Sequence, residues 1–85
     1  MTEHGAVSMS KSARHAPEAV EVFARNVKAQ RARRGLSQSQ VGKLSGIHFT
    51  EISRIERGLR DPRMSTLIRL ARALGMPPSR LLDGV

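Results

Sequence analysis

The hydrophobic residues in the middle of the chain recur at the spacing of two short amphipathic helices. Val41 and Leu44 lie three residues apart, and Ile52 and Ile55 lie three apart in the segment that follows. This spacing predicts two helices, each of which buries one face against the rest of the protein. Gly46 lies between the two segments, and glycine readily adopts the left-handed conformation that ends a helix. The pattern predicts two helices joined by one short turn.

The second of these helices is predicted to leave a polar face exposed. Its buried face requires Ile47, Ile52 and Ile55. The residues outside that face offer hydrogen-bonding groups, one aromatic ring and one cation: His48, Phe49, Thr50, Glu51, Ser53 and Arg54. In a helix-turn-helix, the helix that enters the major groove of DNA needs such a face.

Further helices are predicted on both sides of this pair. Apolar residues continue at helical spacing through residues 20–27 and 64–74, and Pro77 with Pro78 begins a last short helical turn. No alternating β-branched run or hairpin turn occurs in the sequence. The predicted fold class is all-α, with five helices in one compact domain over residues 17–85.

Local signals mark where the first two helices begin and end. Pro17 and Glu18 are suited to the first turn of a helix, and Gly35 is suited to its end. Ser37 and Gln40 have the spacing of a capping box, in which each residue satisfies a backbone N–H of the other. The second helix is predicted to begin directly after Ser37.

Residues 1–16 show no sustained periodicity and are predicted to form a disordered arm. The alternative is a basic arm that touches DNA through Lys11 and Arg14, although Glu3 offsets one of these two charges. The arm and the helical domain together account for the whole chain.

The composition is strongly basic. The 85 residues include 15 Lys and Arg, most of them Arg, against 7 Asp and Glu, which gives a net charge of +8 and a pI near 11.7. This balance predicts a polyanionic partner, because guanidinium groups suit both phosphates and guanine edges. A GC-rich genome, which favours arginine and alanine codons, is the alternative explanation.

Several functions are disfavoured by what the sequence lacks. There is no cysteine, and His4, His15 and His48 are too far apart for a metal motif, so no cofactor is expected. No apolar run approaches the roughly 18–20 residues of a membrane span, and the N-terminus lacks a signal-peptide core. A soluble, cytoplasmic protein is expected.

An enzyme is not expected, since the chain offers no Cys or Tyr, no phosphate loop and no acid–base pair. The length is expected to leave no room for a small-molecule effector domain.

Three runs of sequence, GLSQSQVGKLSG, ISRIERGLRDP and LIRLARALGM, resemble the Cro/repressor-type helix-turn-helix family, also called the xenobiotic-response-element family of bacterial and phage regulators. The resemblance covers about residues 20–83. It implies a compact five-helix, lambda-repressor-like domain that binds double-stranded operator DNA, usually as a dimer.

The resemblance also implies roles for individual residues. The residues that match base-reading positions are His48, Phe49, Thr50 and Arg54. Those that match phosphate-binding positions are Ser37, Gln38, Arg57, Arg60 and Arg63. Gln38 is also expected to brace the recognition helix, and Arg31 with Glu56 matches a structural ion pair between helices 1 and 3. The sequence departs from the family where His48 and Arg63 replace the usual capping residues of helices 3 and 4. Either these two residues cap their helices, or they are freed for DNA instead.

The chemistry of these side chains leaves alternatives open. Arg54 can pair bidentately with guanine O6 and N7, or with the nearby acid Glu51. Phe49 can pack on a thymine methyl group, or be buried in the domain or at a dimer contact. Thr50 can donate, accept or offer its methyl group. The arginines after helix 3 supply affinity rather than specificity if they bind phosphates; otherwise they belong to a solvated basic loop.

A homodimer on an inverted-repeat operator is the preferred hypothesis, because a single recognition helix reads only a few base pairs. Leu81, Leu82 and Val85, with part of helix 4, are the candidates for the dimer surface, since apolar residues at a chain end otherwise face water. Alternatively, Leu81 and Leu82 cover the core. The competing function is a protein-interaction module of the same fold, such as an antitoxin or co-regulator.

Overall fold

Five α-helices make up the part of the chain that this computed structural model describes, residues 17–85. They are α1 (Pro17–Arg33), α2 (Gln38–Ser45), α3 (Phe49–Glu56), α4 (Met64–Ala73) and α5 (Pro78–Leu81). No strand occurs within these residues, so the predicted all-α, five-helix fold class is confirmed. The predicted N-terminal arm, residues 1–16, lies outside the described residues.

The ends of α2 follow the local signals in the sequence. Ser37 Oγ accepts a hydrogen bond of 3.0 Å from the backbone N–H of Gln40, and Gln40 Oε1 accepts one of 2.7 Å from the N–H of Ser37. Gly46 ends the helix with φ +74° and donates its N–H to the carbonyl of Gly42 at 2.9 Å. A left-handed residue here turns the chain directly into α3. The predicted capping box and glycine stop are both confirmed.

The hydrophobic core lies between all five helices. Its buried residues are Phe23, Ala24, Val27, Val41, Ile47, Ile52, Ile55, Leu70, Ala71, Leu74 and Leu81. The isoleucines before and within α3 were predicted to be buried, and Ile52 and Ile55 are at most 1% exposed. Removing one such side chain typically costs about 2–5 kcal/mol of stability. The inward face of α3 is therefore firmly held.

One predicted core position is wrong. Leu44 is 61% exposed, whereas Val41 is fully buried. The inward stripe of α2 is Gln38, Val41, Gly42 and Ser45, which follows the i, i+3, i+4, i+7 spacing with small or polar residues in three places. Leu44 lies next to this stripe and faces outward. The buried face of α2 is the one that packs closely against the start of α3, and it does not include the largest apolar residue of the helix.

The close packing of α2 on the turn depends on Gly42. A Cβ atom at this position would lie 2.7 Å from the carbonyl oxygen of Ile47 and 3.4 Å from the backbone nitrogen of Phe49. These neighbours are backbone atoms, which cannot move aside as the end of a side chain can. Gly42 therefore sets how closely α2 approaches the start of α3.

An ion pair joins α1, α2 and α3. Arg31 donates from Nη2 to Glu56 Oε1 at 2.9 Å and from Nε to Glu56 Oε2, and its Nη1 donates to the carbonyl of Leu36 at 2.9 Å. Gln38 Nε2 donates to Glu56 Oε1 at 3.0 Å. The side chain of Glu56 is only 3% exposed. The Arg31–Glu56 pair implied by the family resemblance is thus present, and no buried side-chain nitrogen or oxygen in the described residues lacks a hydrogen-bond partner.

The same pair affects the titration of Arg31. Its hydrogen bond to Glu56 raises the pKa of Arg31, against the opposing effect of desolvation. A basic group with a raised pKa stabilises the fold below its unfolded pKa and loses that contribution only as the pH rises through the folded value. For an arginine that range lies far above neutrality, so the guanidinium contributes its charge at any pH near neutral.

The C-terminal turn is fastened to α1 by Asn26. Its Nδ2 donates to the carbonyls of Leu81 and Asp83, each at 2.8 Å. Leu81 is fully buried, so the assignment of Leu81 to a dimer surface is wrong and its alternative role in covering the core is correct. Leu82 and Val85 remain 41% and 57% exposed. None of the five helices is long and apolar enough to cross a membrane.

Replacing Glu56 tests the ion pair. Glu56→Ala should lower the free energy of unfolding by about 3–5 kcal/mol, because it leaves the guanidinium of Arg31 partly buried without its acid. Urea denaturation followed by far-UV circular dichroism measures the loss. Glu18→Ala, which removes an exposed acid from α1, is the control and should cost less than about 1 kcal/mol. Equal losses in the two variants would contradict a structural role for the pair.

A methyl group at position 42 tests the close approach of α2 to the turn. Glycine to alanine inside an unobstructed helix usually raises stability by about 0.5–1 kcal/mol. Gly42→Ala should instead lower it by about 1–3 kcal/mol, because the added Cβ overlaps the carbonyl of Ile47. Ser39→Ala, on the exposed side of the same helix, is the control and should be neutral or stabilising. A Gly42→Ala protein more stable than the parent would contradict the steric argument.

Candidate nucleic-acid interface

The outward face of α3 carries the predicted base-reading residues. Ile52 and Ile55 point into the core, and the exposed residues of the helix and its cap are His48, Phe49, Thr50, Arg54 and Arg57. Phe49 is 50% exposed, so its alternative placement in the hydrophobic core is wrong. The helix therefore presents an aromatic ring, a hydroxyl group and a guanidinium on one solvent-facing surface.

His48 caps α3 in place of the Ser or Thr that the family usually has there. Its Nδ1 atom accepts a hydrogen bond of 3.2 Å from the backbone N–H of Thr50, and the same atom lies 2.8 Å from Thr50 Oγ1. The rings of His48 and Phe49 stack, with centroids 4.8 Å apart and planes at 29°. Of the two alternatives that the sequence left open for His48, capping is the one found in the structure. One ring nitrogen caps the helix, and the other has no role in the cap.

Arg63 shows the opposite behaviour. It occupies the N-cap position of α4, but its side chain makes no capping hydrogen bond, and the residue is exposed. The guanidinium of Arg63 is therefore available to a partner, as the family departure suggested.

Glu51 lies between two arginines on the surface. Arg60 Nε donates to both carboxylate oxygens of Glu51, at 3.0 and 3.3 Å, and Arg54 Nη1 lies 3.7 Å from Oε1. Both arginine side chains are 45% exposed. Exposed ion pairs of this kind contribute only about 0–1 kcal/mol. The carboxylate orients the two guanidinium groups without preventing a stronger partner from replacing it.

Arginines continue from the end of α3 into the loop before α4. Arg54, Arg57, Arg60 and Arg63 recur at every third residue, and all four are exposed. Arg57 Nε donates to the backbone carbonyl of Ser53 at 3.4 Å. Of the two acids within this run, Glu56 is already paired with Arg31 on the inner side, and Asp61 is exposed in the loop. We call Arg57, Arg60 and Arg63 the loop arginines; they form a basic margin beside the exposed face of α3.

The start of α2 contributes two further polar side chains. The amide nitrogen of Gln38 gives one hydrogen to Glu56, and Ser37 Oγ accepts from Gln40. An amide nitrogen has a second hydrogen, and a hydroxyl that accepts can still donate. Both side chains keep a donor after meeting their structural hydrogen bonds. Within the described residues, no group of His, Asp or Glu is placed to hold a metal ion.

Two features of this surface could not be found from sequence patterns. Glu51 and Arg60 are nine residues apart and meet only because the chain turns after α3. The cap by His48 reverses the expectation from residue type, since histidine is not among the preferred N-cap residues. The position of a histidine directly before α3 indicated a possible cap, but the sequence did not specify how its ring is oriented.

The helix α3 has an exposed polar face, is joined to α2 by a short turn and is bordered by arginines. This arrangement defines a helix-turn-helix nucleic-acid-binding domain. Comparison with known proteins agrees. The family model described as Helix-turn-helix, HTH_3, matches residues 27–81. The chain therefore belongs to this helix-turn-helix family, which comprises DNA-binding transcriptional regulators and not enzymes.

Named relatives lie within the same class. Control protein C.SmaI of Serratia marcescens is 44% identical over 62 residues, which are 73% of this chain and 74% of the relative. An uncharacterized HTH-type transcriptional regulator of Haemophilus influenzae is 44% identical over 41 residues, 48% of this chain and 42% of the relative.

Solved structures share the fold. The restriction-modification controller protein C.AhdI from Aeromonas hydrophila superposes with a TM-score of 0.72 at 31% identity, covering 73% of this chain and 94% of that chain. The DNA-binding domain of the P22 c2 repressor gives a TM-score of 0.69 at 31% identity, covering 73% and 82%. The implied lambda-repressor-like architecture is thus confirmed.

Proposed function

We propose that this DNA-binding regulator recognises a specific inverted-repeat operator as a homodimer, with α3 of each subunit in the major groove. The observation that carries the proposal is the exposed face of α3, with Arg54 at its centre and the loop arginines beside it. The core holds the opposite face of the helix through Ile52 and Ile55, which are almost completely buried. The outward residues are thereby presented at a fixed angle, as base reading requires.

Base reading is assigned to residues on and before α3. Arg54 carries a planar guanidinium that can bind guanine O6 and N7 together, which discriminates by about 1–3 kcal/mol. Its carboxylate neighbour, 3.7 Å away, orients it at little energetic cost. Phe49 offers its exposed ring to a thymine methyl group, and Thr50 offers its hydroxyl group to a base edge. His48 contributes the ring nitrogen that the helix cap does not use.

Phosphate binding is assigned to the loop arginines and to Ser37 and Gln38. Arg60 binds Glu51 through Nε, which leaves its two terminal nitrogens for a phosphate. If all three loop arginines bind phosphates in each subunit, a dimer neutralises about six phosphates, and the logarithm of the binding constant should fall with a slope of about −5 against the logarithm of salt concentration. These phosphate contacts give affinity and register, whereas contacts to the bases determine which sequence is preferred.

The dimer surface is assigned to the exposed end of the C-terminal turn. Leu82 and Val85 border a groove of about 150 Å³ that is otherwise lined mainly by apolar residues of α1 and α4. Two such apolar residues beside an apolar groove form a self-complementary patch, which is what a two-fold interface requires. Related half-sites would then lie about 34 Å apart on one face of the duplex. Such a regulator acts on DNA in the cytoplasm.

Selection of bound duplexes from a random pool tests the proposal. A regulator of this kind should enrich one motif composed of two inverted half-sites, and the purified protein should prefer that duplex over scrambled competitor DNA. Enrichment of no motif would contradict the proposal. The competing function, a protein-interaction module, would then remain, because a basic surface that lacks sequence preference is consistent with an acidic protein partner.

Arginine substitutions should separate base reading from phosphate binding. Arg54→Ala should reduce the preference for the selected site over scrambled DNA by about 1–3 kcal/mol, because it removes a base contact. Arg60→Ala should weaken binding to both duplexes equally and make the salt slope shallower by about 2 per dimer. Fluorescence titrations at several salt concentrations measure both quantities.

Arg80→Ala is the control for these titrations. It removes the same charge from α5, which packs on α4 and α1, and should change the salt slope little. Equal loss of sequence preference in the Arg54 and Arg60 variants would contradict the division of roles.

A polar substitution in the C-terminal turn tests the dimer surface. Leu82→Ser should shift sedimentation from dimer to monomer, because it removes apolar area from the proposed interface. Leu44→Ser changes a leucine that is even more exposed, on α2, and is the matched control. A Leu82→Ser protein that remains as dimeric as the Leu44→Ser protein would show that the interface lies elsewhere.

A further inference from the structure

The side chain of His48 makes two contacts with Thr50 through a single ring nitrogen. Nδ1 lies 3.2 Å from the backbone nitrogen of Thr50 and 2.8 Å from Thr50 Oγ1. The backbone N–H can only donate, so Nδ1 must be the acceptor in the first contact. An imidazole that accepts at Nδ1 carries its proton on Nε2.

The same tautomer determines the direction of the second hydrogen bond. Because Nδ1 carries no proton, the hydroxyl group of Thr50 must donate its only hydrogen to it. A free threonine hydroxyl can rotate and either donate or accept. In this arrangement the hydroxyl of Thr50 has its hydrogen engaged by the cap, and only its lone pairs are left for another partner.

The surroundings of His48 favour this arrangement over its reverse. A proton on Nδ1 would meet the backbone N–H of Thr50 in the first turn of α3, where the helix dipole is positive. Lys43 of α2 lines the same surface depression as His48. Glu51, the acid in the first turn of α3, is engaged by Arg60 at 3.0 Å. The stack on Phe49, with centroids 4.8 Å apart, restricts rotation of the imidazole.

We propose that His48 is a specificity-determining positioning residue, which fixes Thr50 as a hydrogen-bond acceptor toward the base pairs. The inference rests on the proposed function, in which Thr50 reads a base edge. In the major groove the groups that donate are the N6 amino group of adenine and the N4 amino group of cytosine, whereas guanine O6 and thymine O4 only accept. A fixed acceptor selects adenine or cytosine at the position that Thr50 contacts.

Binding to variant operators tests the proposal. The base pair that Thr50 reads is the one whose preference is lost in Thr50→Val, and the parent protein should prefer adenine or cytosine there by about fivefold, as expected for one hydrogen bond. His48→Ala should reduce this preference nearly to that of Thr50→Val. His48→Asp should retain it, because a carboxylate caps a helix and can only accept. For each variant, the measured quantity is the ratio of its affinities for duplexes that differ at this base pair. The ratio is used because the negative charge of His48→Asp weakens binding to every duplex.

A double-mutant cycle separates positioning from general damage to the helix. In the Thr50→Val background, His48→Ala and His48→Asp should show the same base preference, because the hydroxyl through which His48 acts is gone. Preference at the base pair read by Arg54 should be unchanged in all variants. Full retention of the adenine or cytosine preference in His48→Ala would overturn the inference, as would a parent preference for guanine or thymine.

Nitrogen-15 NMR of the imidazole in the free protein gives a readout that does not depend on DNA. The spectrum should show the tautomer protonated at Nε2, and Thr50→Val should shift the Nδ1 resonance because it removes one donor. A proton on Nδ1 would overturn this inference alone. A random pool that enriches no duplex would instead overturn the proposed function, and the base-reading role with it.

Discussion

The ion pair between Arg31 and Glu56 is the interaction on which the orientation of α3 depends. Glu56 is the last residue of α3, Arg31 lies near the end of α1, and Gln38 begins α2, so a single carboxylate connects three helices. An apolar contact at this place would tolerate sliding, whereas hydrogen bonds between planar groups fix both distance and angle. The side chain of Glu56 is almost completely buried, so any helix that moved away would leave a charge unsatisfied. The angle at which α3 presents Arg54 to solvent is thus set from the inner side of the domain.

The exposed residues of α3 are also held, but by weaker contacts. Thr50 is bound by His48, and Arg54 lies near Glu51, which also binds Arg60. Side chains that are already oriented lose less conformational entropy when a partner binds. Because the contacts of Arg54 and Arg60 with Glu51 are exposed ion pairs, a phosphate or a base edge can replace them at small cost. The domain therefore has a rigid inner network that fixes the helix and a replaceable outer network that orients its side chains.

The features that the sequence predicted correctly are those decided within a few residues. The five helices, the capping box at Ser37, the turn at Gly46 and the outward face of α3 follow from spacing and local backbone preference. Leu44 and Leu81 were misplaced because burial depends on which face a neighbouring helix covers, and hydrophobicity alone does not specify that face. The Glu51–Arg60 contact depends on the path of the loop, and the Asn26 clamp joins positions 55 and 57 residues apart. No local pattern contains that information.

The net charge of +8 predicts attraction to any polyanion and cannot by itself produce discrimination between DNA sequences. Glu51 reduces this charge locally. In the free protein its carboxylate lies 3.0 Å from Arg60 Nε and 3.7 Å from Arg54 Nη1, so its own charge is already largely neutralised. In a complex of the proposed kind, a guanidinium that binds a phosphate or a base edge leaves this carboxylate, and the exchange costs little because the ion pairs are exposed. The proposed preference for one site therefore has to come from the base contacts of α3, whereas the surrounding arginines supply affinity for DNA of any sequence.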